Sequence, residues 1–590
     1  MSVPDAPSSR TRRSSMLGAG LLLNGVVPAL LGAVFLAVIL AQVLFYFCRT
    51  VDDCFITLRY ADHFASGRGL VYNVGERVEG FSSPLWVLLA SLGAWLGVDG
   101  TLWLKILGLA GLALLVGVAA MYLTRRHGVS PHMTGLALVA LGSNSYVLSW
   151  ALLGLETPLY LALLLALPLT LQATLEQPSS RHQALSALTL VALAATRPEA
   201  PLFAFAIVLG VVFVHPSGSL RKRAVRAGPT TFGAALCLGL LLVARRGYFG
   251  LWLPHTYYAK QGNGLDPSRL AALVDQGATP LELGLLLGGL GAALWLALRR
   301  RDAVPLVVIG TNLAFASLVI EDWMPNQRHF LPIWVLCTLA AAIGLDALVR
   351  RTENGSPWLL PPVAAGLAGL VACGAYQFHV DSRFSSFDFR SHGQGRHWIR
   401  EKSPRRWEDA WLALTRHVPP HVQAMSLERM GMIQQLFWVL EASSAPLQQS
   451  VYVGRDIGRV GYFAPVRVFD TDGLFTPDVV RNPQWAKDRG VSLELGRRVF
   501  ALRPVVAQLL DGFALLPRLL PEELGNYVRR PGRLERVGPR ASSSQVLRRY
   551  EWAARRFPQG FYMATLYGEC VGAAFEKRYA AVRGMYGDTD

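Results

Sequence analysis

Apolar runs of roughly 20 residues recur along the first two thirds of the chain, parted by short polar breaks. An α-helix needs about that many apolar residues to cross a bilayer. The pattern predicts spans at 18–47, 102–124, 132–152, 159–175, 184–196, 202–214, 231–244, 281–298, 303–320, 330–349 and 357–376. The pieces at 184–196 and 202–214 are short, as broken or tilted helices would be. The run from Pro84 to Val98 is too short to span, and it reads as a helix lying in the outer interface, with Trp86 and Trp95 as anchors. Beyond about residue 380 no apolar run is long enough to cross. There, Val451 to Arg481 shows short β-like alternation broken by Gly, Pro and Asp. The expected architecture is a polytopic α-helical membrane protein with about 11 transmembrane helices, followed by an α/β soluble domain. The boundaries are a tail over 1–17, a membrane domain over 18–379 and a C-terminal domain over 380–590.

Charge placement orients the spans. Basic clusters at 10–13, 125–127, 221–226, 299–301 and 350–351 all fall on one side of this topology, which the positive-inside rule makes cytoplasmic. The N-terminus is then cytoplasmic, and the C-terminal domain extracytoplasmic, in a bacterial inner (plasma) membrane. If Pro84 to Val98 did span, every later assignment would invert. The run from Met16 to Phe47 is far longer than a signal-peptide core, so it is expected to be an uncleaved first span. Arg245 and Arg246 break the rule by lying outside, which marks them as candidate ligand contacts.

Composition supports the class. Of 590 residues, 52% are hydrophobic and 16% charged, with a mean hydropathy of +0.33. A soluble protein carries about 25% charged residues. The net charge of +17 would suit nucleic acid, but the basic clusters explain part of it and no nucleic-acid-binding motif occurs. Six scattered cysteines lack CxxC spacing, so they predict no metal site, and Cys237 and Cys337 read as packing residues.

The longest polar stretch outside is Asp52 to Trp86, DDCFITLRYADHFASGRGLVYNVGERVEGFSSPLW, the core of a first external loop over 48–101. Connectors of that length and mixed charge are usually functional. Asp52 and Asp53 form an acidic pair that can act as a general base on a hydroxyl or bind a divalent cation. The plainer alternative is a helix N-terminus with acids in its first turn.

This loop resembles the first external loop of the GT-C glycosyltransferases, in the branch typified by the terminal arabinofuranosyltransferase of the mycobacterial cell wall. GLETPLY (154–160), TRPEA (196–200), LPHTYYAK (253–260), EDWMPNQRHFLP (321–332) and DIGRVGYF with VFDTDGLFTPDVV (456–480) resemble that branch too, in the expected order. The resemblance implies a sugar moved from a polyprenyl-phosphate donor to a cell-envelope glycan or glycolipid on the extracytoplasmic face. It implies that an Asp of the loop does the acid–base work, with Asp52 matching the first acid of the family's pair. A lipid phosphate at the interface needs cations, and Arg197, Lys260, Arg328, His255, Arg245 and Arg246 are the candidates. For Arg197 a bridge to Glu199 is the plain alternative. Arg59, Glu79, Trp86, Glu156, Asp322 and Tyr257 are candidate substrate contacts, although Arg59 also reads as a partner of loop carboxylates. DTDG at 470–473 reads as a turn rather than a metal motif. No cofactor is required by these residues, and a divalent cation (Mg²⁺ or Mn²⁺) would fit. A lipid-linked sugar transporter or flippase and a non-catalytic envelope assembly protein are the competing classes. Transporters tend to carry repeats and midplane charges, whereas here the polar motifs sit at the outer ends of helices.

Overall fold

The structure is a computed structural model. It describes residues 50–259 (except 217), 280–318 and 328–351, parts of 33–49, and short stretches between 451 and 514. In chain order the helices are α1 (Asp52–Ala65), α2 (Pro84–Trp95), α3 (Gly100–Met121), α4 (Pro131–Ser143), α5 (Ser145–Leu152), α6 (Thr157–Glu176) and α7 (Ser180–Ala194). They continue with α8 (Ala200–Val214), α9 (Leu220–Phe249), α10 (His255–Ala259), α11 (Pro280–Arg299), α12 (Val304–Leu318) and α13 (Leu331–Arg351). The described part of 33–47 is helical as well.

Among the described residues four helices are long and apolar enough to cross a membrane, and α4 with α5 makes a fifth if the bent pair counts as one span. This is a multi-pass helical membrane fold. Its buried centre is dominated by Leu, Val and Ala from α3, α6, α8 and α13. Small residues bring backbones together, as is common between membrane helices. A Cβ on Gly108 of α3 would lie 2.0 Å from the Ala151 carbonyl oxygen of α5.

Two helices differ from the pattern read in the sequence. The span at 132–152 is bent by 58° at Asn144. Asn144 takes an extended backbone, and its side-chain oxygen accepts from the N–H of Tyr146 and of Val147, so it caps α5. Hydropathy alone cannot register this break, because both halves are apolar. The other is α9, a 30-residue helix that replaces the expected 231–244. It starts inside the basic run, where Ser219 caps the N–H of Lys222 and Arg, Lys and Ala favour helix. It ends at Gly250, whose φ of 79° suits glycine. Arg245 and Arg246 therefore lie on its last turns rather than in a loop. Cys337 packs in the core as expected, whereas Cys237 on α9 is exposed at the periphery.

The run from Pro84 folds as the short helix α2, in keeping with a non-spanning piece. Leu88, Leu92 and Trp95 are exposed along one side of it. The spacing of four and three residues makes that one helical face.

At the far end of α3 from the loop, Asp302 gathers four partners. Arg126 bonds both its oxygens at 2.9 and 3.0 Å, Tyr122 donates at 3.0 Å, His127 Nε2 lies 2.9 Å away and Val304 N–H donates at 3.1 Å. Burial alone would raise this carboxyl; His127 and Arg126 instead hold it far below the usual range. The clasp joins α3 to the start of α12, and Gln172 of α6 accepts from Arg126 at 2.7 Å.

Between residues 451 and 514 the described strands form one sheet. They are β1 (Val451–Gly454), β2 (Arg467–Asp470), β3 (Val506–Gln508) and β4 (Phe513–Ala514), in the order β2-β1-β3-β4. β1 runs parallel to β2 and to β3, while β4 is antiparallel to β3. A short helix, α14 (Gly458–Phe463), connects β1 to β2. The eleventh predicted span and most of 380–590 lie outside the described residues.

Candidate active site

The first loop folds around α1. Asp52 and Asp53 occupy its first turn, and Val51 precedes them in an extended conformation. Its chain then turns through glycines at positive φ (Gly67, Gly69 and Gly75) and returns past Glu79 to α2. Tyr60 fixes the return, since its hydroxyl donates to the Val78 carbonyl at 2.6 Å and accepts from Gly80 N–H at 2.9 Å. Burial drives the Tyr60 hydroxyl well above its ordinary value, so it stays a neutral donor.

Three hydrogen bonds tie the loop to helix ends of the bundle. Val51 N–H donates to Leu153 at 3.1 Å, Trp86 Nε1 donates to the Gly154 carbonyl at 3.1 Å, and Leu85 N–H donates to Ala195 at 3.0 Å. The loop motif therefore meets GLETP directly and TRPEA through the residue that precedes it, Ala195. Trp86 is fully buried here and serves as a strut.

Beneath that junction lies a buried charged cluster. Arg197 bonds Glu199 through Nε, and its Nη1 reaches Glu156 Oε1 at 3.3 Å. Arg328 Nη2 meets the same Glu156 oxygen at 3.0 Å. Glu156, at the mouth of α6, thus joins residues 41 and 172 positions away. Desolvation opposes the Arg197 charge, but Glu199 and Glu156 outweigh it and raise its pKa. Glu199 is pushed up by burial yet ends below the ordinary range, because Arg197 and then His329 oppose it. Both Arg197 and Glu199 are charged. Each arginine sits near an aromatic face, with Arg197 5.5 Å from Tyr160 and Arg328 5.4 Å from Trp150.

A second buried pair flanks the loop. Glu79 and Arg245 approach to 2.6 Å, and the Glu79 carbonyl accepts from His255 N–H at 2.9 Å. Burial raises the Glu79 carboxyl, with Arg245 opposing. The last turn of α9 also carries Tyr248, which accepts from Leu70 N–H at 3.1 Å and lies 4.8 Å beneath the Arg77 guanidinium. Arg246 is exposed, as is Tyr257 of α10. Lys260 and Asp322 lie outside the described residues.

Arg59 is buried among main-chain carbonyls. It donates to Tyr72 at 2.7 Å and to Gly461 at 2.5 Å. Sequence reasoning gave it carboxylate partners and passed over Tyr72, Asn73, Tyr248 and Gly461. Gly461 alone among them had a local signal, the Gly-x-x-Gly spacing in DIGRVGYF. Asp470 ends β2, and its Oδ2 accepts from Leu474 and Phe475 N–H, which is turn geometry. Among the described residues, no three His, Cys, Asp or Glu side chains gather closely enough to hold a metal ion.

Asp62 gives a pH test. Desolvation raises its carboxyl to about 6, with Arg68 and the Tyr462 hydroxyl opposing. Its folded pKa exceeds the unfolded value of about 3.9. It therefore adds stability that is complete below the unfolded pKa and is lost as pH rises through about 6. Asp62→Asn keeps an acceptor for Tyr462 without the buried charge. The variant is expected to melt higher than the parent at pH 7.5 and at the parent's temperature at pH 3.5, by thermal unfolding in detergent. A lower melting point at pH 7.5 would contradict the sign.

No family model matches the chain. Its fold is similar to that of ArnT from Cupriavidus metallidurans bound to undecaprenyl phosphate, at TM-score 0.50 and 13% identity over 78% of this chain and 88% of that one. The apo form of that protein aligns at TM-score 0.49 and 16% identity, covering 77% and 89%. In sequence the chain is 30% identical over 229 residues to the terminal beta-(1->2)-arabinofuranosyltransferase of Mycobacterium tuberculosis (strain ATCC 25618 / H37Rv). That match takes in 36% of this chain, and the chain spans about a third (35%) of the length of that curated relative. The motif resemblance and the sequence match thus name the same branch.

Proposed function

We propose that the chain is a GT-C-type membrane glycosyltransferase. It moves a sugar, arabinofuranose or a related pentose or hexose, from a polyprenyl-phosphate donor to an envelope glycan or glycolipid on the extracytoplasmic face of a bacterial plasma membrane. The observation that carries this is the meeting of the acidic loop with the Glu156–Arg197–Arg328 cluster at the helix ends. An acid of the Asp52–Asp53 pair takes the proton of the acceptor hydroxyl as the glycosidic bond forms. The sugar's bond to phosphate breaks, and the lipid phosphate leaves with the electron pair. Cations at that spot stabilise the charge that develops on it. Arg328, less buried than Arg197, is the first candidate. Arg197, Arg245, Arg246, His255 and Lys260 are the further cations proposed. Glu79, Glu156, Asp322 and Tyr257 are proposed to line the sugar and acceptor side. The sequence likeness to an arabinofuranosyltransferase and the lipid phosphate bound by ArnT support this choice of donor class. About eleven spans and an outward-facing C-terminal domain belong to the same proposal.

A membrane assay with a panel of radiolabelled polyprenyl-phosphate sugars tests it, comparing the parent with Asp52→Asn and Asp53→Asn. Transfer is expected from at least one donor, with a deep loss in at least one variant. Undiminished transfer in both would overturn the acid–base assignment, and translocation without transfer would favour a flippase. Arg328→Gln is expected to raise the donor KM roughly 10- to 100-fold, since a charge-assisted hydrogen bond contributes about 1.5–3 kcal/mol. An unchanged KM would remove Arg328 from the donor site.

A further inference from the structure

We infer that Lys105 of α3 is a positioning residue for the proposed transfer: it clamps the α5–α6 elbow, Leu152 to Glu156, which ties the acidic loop to the Glu156–Arg197–Arg328 cluster. The effect on transfer rests on the glycosyltransferase reading; the clamp itself does not.

Lys105 is the one charged residue in the apolar run 102–124, and it is 5% exposed. A charge within a span is costly to keep, so it calls for a partner and usually has a task. Its Nζ donates to the Leu152 carbonyl at 2.7 Å and stands 5.5 Å from the centre of the Phe47 ring. Leu152 is the last residue of α5. Carbonyls at a helix C-terminus lack partners within the helix, and a cation is favoured there.

The next two carbonyls are taken in the same way. Leu153 accepts from Val51 N–H and Gly154 from Trp86 Nε1, each at 3.1 Å. Three successive carbonyls thus accept from three separate elements: α3, the residue before α1, and α2. Val51 leads directly into Asp52 and Asp53, and Glu156 follows Gly154 by two residues. A shift of the elbow therefore shifts both the lead into the acidic pair and the carboxylate that both arginines share. The elbow also abuts α1 itself. Gly154 has a φ of 94°, and a Cβ there would stand 3.0 Å from Cys54 Cβ, beside Asp53. One helical turn further along α3, Gly108 lets that helix touch the α5 backbone at Ala151. Lys105 closes the end of α5 beyond that contact. Among the three donors it is the one outside the first loop, so it can be altered without changing a loop residue.

Hydrogen–deuterium exchange of the full chain in detergent tests the clamp, read on overlapping peptides that resolve the Val51 amide, with transfer kinetics alongside. Lys105→Met keeps most of the side-chain length and removes the donor. It is expected to speed exchange of the Val51 amide about tenfold or more. It is expected to lower kcat about 10- to 100-fold with donor KM within about threefold of the parent, since small misplacements of reacting groups cost up to about 10²-fold. Lys105→Gln keeps an N–H donor, and both its Val51 exchange and its kcat are expected to lie between those of Lys105→Met and the parent. Gly154→Ala, which presses on Cys54 at a positive φ, is expected to speed the same amide. Unchanged Val51 exchange in both Lys105→Met and Gly154→Ala would overturn the clamp, whether or not any donor is turned over. Faster exchange spread evenly over the bundle would overturn the positioning role and leave the glycosyltransferase reading intact, as would a full kcat in Lys105→Met with the amide released. No transfer by the parent from any donor would overturn that reading, and the positioning role with it, while exchange would still decide the clamp.

Discussion

Asp53→Asn is expected to lower kcat by about 10²- to 10⁴-fold, the range over which a positioned general base acts, with little change in donor KM. The substitution conserves shape and removes only the ability to take a proton. Asp53 sits on the first turn of α1, anchored to the bundle by the Val51 N–H bond to Leu153. The neighbouring Glu156 and Glu199 carboxylates are each paired with arginine, and Glu79 with Arg245. None of those three stands in the pair at the head of α1. If transfer by Asp53→Asn stayed within about threefold of the parent at saturating donor, the base would have to be sought elsewhere. The acidic limb of the pH–rate profile adds a second reading. It reports the acid–base group, so it should vanish from the residual rate of Asp53→Asn and persist in Asp62→Asn, which removes the carboxyl that burial raises to about 6.

The membrane bundle was legible in the sequence because hydropathy acts residue by residue. Spans at 159–175 and 330–349 correspond to α6 and α13. The short run from Pro84 read as non-spanning from its length alone. The bend at Asn144 and the extension of α9 were not legible, since neither changes an apolar run. The site was partly legible. Arg197 and Glu199 are two residues apart, and their pairing was foreseen as the plain alternative for Arg197. The Glu156 contacts and the Asp52–Gly458 bond join positions far apart in sequence, and no local spacing encodes which distant group will arrive. What the motifs offered was residue type: acids and arginines at helix ends, where buried charges demand partners. The structure supplies the partners: Glu156 for both arginines, and the Gly458 N–H for Asp52.

Asp302→Ala is expected to cost about 3–5 kcal/mol of unfolding stability, as removal of one partner of a buried ion pair does. Arg126 would keep its bonds to Gln172 and to the Pro168 carbonyl but lose both bonds to carboxylate oxygens. Its guanidinium side chain is only 7% exposed, so water cannot replace the anion without the helices parting. Tyr122 would lose its acceptor too. Asp302→Asn should cost less, because an amide oxygen still accepts one of these donors. Equilibrium unfolding in mixed micelles measures the difference, and a loss below about 1 kcal/mol for Ala would mean that Arg126 finds solvent after all. The cluster lies at the opposite end of the 27-residue helical stretch Gly100–Arg126 from the first loop, about 40 Å away at 1.5 Å per residue. Well below the melting temperature the variant should therefore bind donor with the parent's KM. A stability loss without a KM change separates what holds the bundle together from what the Glu156–Arg197–Arg328 cluster is proposed to do with substrate. A raised KM would instead show that the two ends of the bundle are coupled through α3 and α6.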